Sequence, residues 1–218
     1  MVCGDTGVSI EFGDAIDPAI NAGVRRLFLA LKSSRPVGVV DLIPTYRSLF
    51  IQYDPWRCSF ERLLLLVEGA MREGPDLPAS DGPVVEIPVC YGGRYGPDLD
   101  ELAGLHRLCV EEVIRIHCCP VYTVYMIGFT PGFPYLGGLD ERLATPRRKE
   151  PRRKVPAGSV GIADRQTGIY PLESPGGWQI IGRTPVRLFD LNRPEPFLLS
   201  PGDRVRFVPI TEDAFERH

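Results

Sequence analysis

The densest concentration of chemistry-bearing side chains in this 218-residue chain is the run RRKEPRRK at residues 147–154, with six positive charges in eight residues and Pro146 and Pro151 stiffening it. A charge run is ordinarily a solvated loop. Converging guanidinium groups are also natural receptors for phosphate or carboxylate, which they grip with paired N–H donors. Arg147, Arg148, Arg152 and Lys154 are therefore candidate anion ligands, joined by Arg183 from GWQIIGRT at 177–184. That stretch has the outline of a phosphate loop with Arg where Lys belongs. Its interior is bulky and Pro185 blocks the helix that should follow, so a strand is the better reading. The SPGGW turn can still offer backbone N–H groups to an anion. Ser159, Gln166, Thr167, Tyr170 and Ser174 are donors suited to a small polar ligand, with Trp178 as an apolar wall. The same side chains serve equally as turn and barrel packing.

His117, one of three histidines, closes a helical pattern, where an imidazolium suits the helix C-terminus. The alternative is a proton carrier, since imidazole titrates near neutrality. With Cys118 and Cys119 beside it, His117 does not supply tetrahedral metal geometry, and nothing marks a thiolate-stabilising environment. Asp98 either caps a helix or turns its carboxylate to a cleft, where with Arg148 and His117 it completes a catalytic candidate set; it is also the candidate Mg²⁺ ligand. Ser159 and Ser174 lack the G-x-S-x-G elbow, which argues against a serine hydrolase. There is no G-x-G-x-x-G, and no aromatic interleaving of the kind that binds single-stranded nucleic acid.

The elements that must position these groups follow from composition and periodicity. Gly 23 and Pro 22 make up about a fifth of the chain, against about 12% in usual composition. The excess lies after Pro83, which places a loop-rich β domain there. A hydrophobic content of 44% supports packed cores, and a net charge of −3 argues against a general nucleic-acid or membrane-surface binder. No apolar run reaches about 18 residues and the N-terminus has no basic region, so neither a membrane span nor a secretory signal is expected. The six cysteines match neither a zinc site nor a disulfide framework, and reduced thiols in a cytoplasmic protein are the expectation.

In chain order, residues 8–12 alternate as a strand. Asp17-Pro18 starts a helix with Ile20, Val24, Leu27, Phe28 and Leu31 on one face. Residues 37–43 and 48–53 pair as strands, and Ser59 caps a helix that buries Leu63, Leu64, Val67 and Met71. Residues 74–82 are linker-like, and residues 84–89 are expected to complete the first sheet. The order β-α-β-β-α-β is the split βαβ, ferredoxin-like arrangement, assigned to residues 1–82. Residues 83–218 form the second domain. Asp98 or Asp100 caps a short helix, a second helix runs over 108–116, and short strands lie at 124–127, 159–162, 178–181, 186–189 and before residue 210.

The motifs GFTPGFPYLGGLD, TPRRKEPR, VPAGSVGIADRQTGIYP, ESPGGWQIIGRTP, LFD and the closing PGD and VRFVPI resemble the KipI / allophanate hydrolase subunit 1 family. IPVCYGGRYGPDLDEL and EEVIRIHCCPVYTVYMIGF extend the resemblance upstream, and the first 80 residues fit through strand–helix order. The resemblance implies an α+β chain, with a ferredoxin-like N-terminal domain followed by a cyclophilin-like β-barrel. It implies the B-type component of an ATP-dependent 5-oxoprolinase, with ATP and Mg as cofactors. The partners it implies are a KipA / allophanate hydrolase subunit 2-like protein and a homologue of the A-type component of the 5-oxoprolinase. Some members of the family inhibit a sensor histidine kinase, and others correspond to the carboxyltransferase region of urea carboxylases. No amidase Ser-Ser-Lys signature is present, so allophanate hydrolysis is not expected, nor is proline isomerisation from the barrel alone.

Overall fold

The computed structural model describes residues 1–73 and 83–218. The chain divides into two compact units, Met1–Asp81 and Gly82–His218. The linker-like residues 74–82 lie outside the described residues.

In the first unit, β1 (Val2–Cys3), β2 (Gly7–Glu11), β3 (Val39–Pro44) and β4 (Ser48–Tyr53) form an antiparallel sheet in the order β1-β2-β4-β3. Helices α1 (Pro18–Ser34) and α2 (Phe60–Glu73) pack on it. Helix α1 starts where its residues dictate. The Asp17 carboxylate accepts from the Ala19 and Ile20 N–H groups at 2.8 and 3.2 Å, Pro18 needs no donor, and Val24, Leu27 and Leu31 turn inward. Ser59 Oγ accepts from the Arg62 N–H at the start of α2, and Leu63 and Val67 are buried. Leu64 and Met71 are not buried as expected, at 36% and 45% exposure, because α2 lays only a narrow stripe on its neighbours.

The second unit holds β5 (Val84–Tyr91), α3 (Leu99–His106), α4 (Val110–Cys118), β6 (Tyr122–Ile127), β7 (Pro134–Gly137), β8 (Arg152–Val155), β9 (Ser159–Ala163), β10 (Gln166–Ile169), β11 (Ser174–Gly176), β12 (Gln179–Arg183), β13 (Arg204–Pro209) and α5 (Glu212–Glu216). Seven strands close a barrel in the order β10-β7-β6-β13-β5-β12-β9, and β11 pairs with β8 as a separate ribbon. Closure leaves the barrel no free edge. Its core is continuous with the apolar faces of α3 and α4: Leu99, Leu102, Val113 and Ile116 pack with Ile87, Val89, Val124, Leu136, Val160 and Ile162.

Three expectations are corrected here. Strand β5 does not complete the first sheet. It pairs parallel with β13 from Arg204↔Val84 to Pro209↔Val89 and antiparallel with β12, because Ile87 and Val89 belong to the barrel core. Residues 186–189 make no strand, only the bridge Phe189↔Phe197. Arg152–Val155, read as part of a stiff loop, is strand β8, zipped to β11 through Ser174↔Val155 and Gly176↔Arg152. A turn at Gly158 sets the spacing between β8 and β9. Its φ is +84° and a Cβ there would sit 2.3 Å from the Thr184 carbonyl oxygen, so only glycine fits.

Candidate functional site

The basic run is clamped to the strand that follows SPGGW. The Arg148 N–H donates to the Gly177 carbonyl at 2.7 Å, and the Gln179 amide donates to the Pro146 carbonyl at 3.1 Å. Together with Glu101 and Leu105 of α3, these segments wall a cleft of about 450 Å³. Arg147, Arg148 and Lys149 line it, facing Glu101, Glu150 and Gln179.

Arg148 joins that cleft to a buried ion-pair cluster centred on Asp98. Asp98 is 2% exposed, and its carboxylate accepts four hydrogen bonds. Arg152 grips both oxygens, Nη1 to Oδ2 at 2.9 Å and Nη2 to Oδ1 at 2.6 Å. Arg148 Nη1 reaches Oδ1 at 2.9 Å, and the Ile180 N–H reaches Oδ2 at 2.6 Å. A buried carboxylate persists only when its lone pairs are met in this way. Asp98 stands at the N-cap position of α3 but makes no cap hydrogen bond, so the helix-cap reading is replaced by an arginine clasp. The carboxylate is fully engaged, which leaves no place for Mg²⁺ on it. Among the described residues no group of three or more His, Cys, Asp or Glu is arranged to hold a metal ion.

The remaining basic candidates diverge. Lys154 pairs with Glu173 at 3.0 Å on an exposed surface, and Arg147 lies 3.8 Å from Asp164. Arg183 is outside the cleft. Its Nε donates to the Ala157 carbonyl at 2.7 Å and its guanidinium lies over the Phe215 ring. Ser159, 1% exposed in β9, is part of the barrel wall.

His117 is fully buried and is not placed to carry protons. It stacks on Phe207 with centroids 4.5 Å apart. Thr167 Oγ1 donates to the Gly161 carbonyl at 3.0 Å, so it accepts from His117 Nε2–H at 2.9 Å. The other ring nitrogen, Nδ1, accepts from the Tyr91 hydroxyl at 2.7 Å. Both nitrogens of a neutral imidazole are thereby used, and burial lowers its pKa to about 3. Thr167 is spent in the same chain of bonds.

Tyr170 and Trp178, expected as grip and wall, are 1% and 5% exposed. They pack edge-to-face with Phe133 at 5.1 and 5.4 Å, a favoured aromatic geometry. Desolvation pushes the Tyr170 hydroxyl up to about 12, against the pull of the Trp178 backbone N–H and the nearby Arg147 and Arg152 charges. Gln166 lies buried in β10. Of the polar candidates, Ser174 keeps a buried hydroxyl with no partner among the described residues, as do Thr130 Oγ1 and Arg148 Nε.

Four groups went unnoticed in the sequence: the acidic walls Glu101 and Glu150, Gln179, and Phe129. Phe129 holds φ at +64° while 62% exposed, with its ring against Phe133 and Tyr170. A bulky residue in that region is strained, and such strain gathers at functional sites. Its one signal was its setting in GFTPGF, between Gly128 and Gly132.

The model of the carboxyltransferase domain, subdomain C and D, matches residues 1–199. The chain belongs to that family. It is 42% identical over 225 residues to the 5-oxoprolinase B subunit of Bacillus subtilis (strain 168), covering 99% of this chain and 94% of that one. It is 59% identical over 128 residues to the 5-oxoprolinase B subunit of Escherichia coli O157:H7, covering 59% of each. The solved structure of TTHA0988 superposes with a TM-score of 0.84 at 44% identity, covering 94% of this chain. The chain spans 40% of the length of that protein. No described helix is long and apolar enough to cross a membrane.

Proposed function

We propose that this chain is the B-type component of an ATP-dependent 5-oxoprolinase, working with a KipA-like subunit 2 partner and an A-type component to open 5-oxoproline to glutamate. The observation that carries the reading is the cationic cleft joined by Arg148 to the Asp98 clasp, in a chain that matches a 5-oxoprolinase B subunit along nearly its whole length. The barrel is read as cyclophilin-like. The first unit is read as a ferredoxin-like variant in which β1 pairs beside β2, where a returning strand would lie. The complex works in the cytoplasm, where the thiols stay reduced.

A lactam is resonance-stabilised, and water alone opens it slowly. Transfer of the γ-phosphoryl group of ATP to the amide oxygen releases ADP and makes that oxygen a leaving group. Water then adds to the ring carbon and the C–N bond breaks, with the nitrogen taking the proton and an acyl phosphate remaining; a second water hydrolyses that to glutamate and phosphate. Such transfer depends on positioning and charge neutralisation, and the guanidinium groups of the cleft supply positioning by holding the substrate carboxylate. Asp98 is committed to its arginines, and among the described residues no three His, Cys, Asp or Glu group together, so no step is assigned to a metal held by this chain. The test is ATP-dependent glutamate formation by the co-expressed components. Loss of turnover when this chain is omitted supports the reading. No turnover with the full set, or recovery of a sensor kinase instead of a subunit 2 protein on pull-down, overturns it.

A further inference from the structure

Resting on that reading, we propose that the cleft beside Arg148 binds the amide-acid substrate and not the nucleotide, with Asp98 as the positioning residue that aims Arg148 into it. The cleft carries both signs. Arg147, Arg148 and Lys149 stand against Glu101 and Glu150. A triphosphate would meet two carboxylates there and be repelled by them. A small acid that bears one carboxylate and one N–H finds a partner for each: the cations take the carboxylate, and a glutamate or the Gln179 carbonyl oxygen takes the N–H. A volume of about 450 Å³ suits a small ligand and its waters.

Asp98 decides how Arg148 is held. Arg152 spends both of its terminal nitrogens on the carboxylate, whereas Arg148 spends only Nη1. Arg148 is left with Nη2 and Nε uncommitted, and Nε has no partner among the described residues. Its side chain is 31% exposed, so it spans from the buried clasp to the cleft wall. The Nε is buried, so Nη2 is the donor left for the cleft; an arginine anchored through Nη1 is pre-organised to present that donor to a carboxylate and loses little conformational freedom on binding it.

The experiment measures KM and kcat of the reconstituted complex for 5-oxoproline and, separately, for ATP. Arg147→Glu and Lys149→Glu alter exposed side chains and leave the fold intact. Each is expected to raise KM for 5-oxoproline roughly tenfold, the size of one charge-assisted hydrogen bond, with KM for ATP within about twofold. Asp98→Asn should raise the same KM by tenfold or more while kcat falls less than about threefold, the split expected for uniform binding. Asp98→Glu should restore part of the loss. If Asp98→Asn does not fold, the two surface variants decide. A rise in KM for ATP instead, or no change in either constant, overturns the proposal while leaving the functional reading intact, because the wild-type complex still turns over. If the wild-type complex is inactive, the isolated chain is titrated calorimetrically with 5-oxoproline. Binding that Lys149→Glu weakens supports the cleft, and no binding ends the proposal.

Discussion

Neutral His117 inside the barrel makes a quantitative prediction about acid stability. Its pKa is about 3 in the folded chain against an ordinary 6.5, because burial disfavours the charged ring. The unfolded chain takes up a proton as pH falls below 6.5 and the folded chain does not. The contribution is therefore fully present above pH 6.5 and declines as pH falls toward the folded value. Between those values the slope is about 1.4 kcal/mol per pH unit, or about 2 kcal/mol lost by pH 5. This figure does not depend on the folded value once that lies well below pH 5. Asp140, whose pKa Arg142 holds down to about 2, begins to contribute only as pH approaches the ordinary carboxylate range, so it does not obscure the window. The assay is urea denaturation from pH 7.5 to 5, followed by the emission of Trp178, 5% exposed in the barrel. Trp56, 96% exposed in the other unit, is replaced by Phe. The comparison is His117→Gln, whose amide can donate to Thr167 and accept from Tyr91 but does not titrate. Between pH 7.5 and 5 it should lose about 2 kcal/mol less than the wild-type chain, most of the difference arising below pH 6.5. Parallel curves for the two proteins would refute the buried neutral imidazole.

Asp98→Ala strands two guanidinium groups that are about a third exposed, and should cost about 3 kcal/mol of barrel stability by the same denaturation assay. Gly158→Ala forces a Cβ to within 2.3 Å of the Thr184 carbonyl at a φ of +84°, and should cost about 2–4 kcal/mol. Phe129→Gly releases the strain at φ +64° and gives up mainly edge contacts of an exposed ring, so stability should change by no more than about 1 kcal/mol. Turnover by the complex should nevertheless fall several-fold; unchanged turnover would make Phe129 a structural accident.

Where local chemistry decides the outcome, the residues themselves determined it. Asp17-Pro18 had to begin a helix, Ser59 had to cap one, and the apolar stripes of α1 had to turn inward. The Gly- and Pro-rich second half had to be short strands and turns, and its motifs carried the family. Partnership across long sequence separations was not readable. Residues 84–89 look alike as the last strand of one sheet or a stave of another, and β5 enters the barrel only because its partner β13 lies over a hundred residues away. Asp98 reads as a helix cap until Arg148, Arg152 and the Ile180 N–H arrive 50, 54 and 82 residues later. His117 reads as a helix-end imidazolium, or as a proton carrier, until Thr167 and Tyr91 close on both of its nitrogens. A side chain's type sets what it is able to do. Its water, its charge partners and its burial are properties of the closed barrel, and these decide whether an arginine clasps a carboxylate or waits for a ligand.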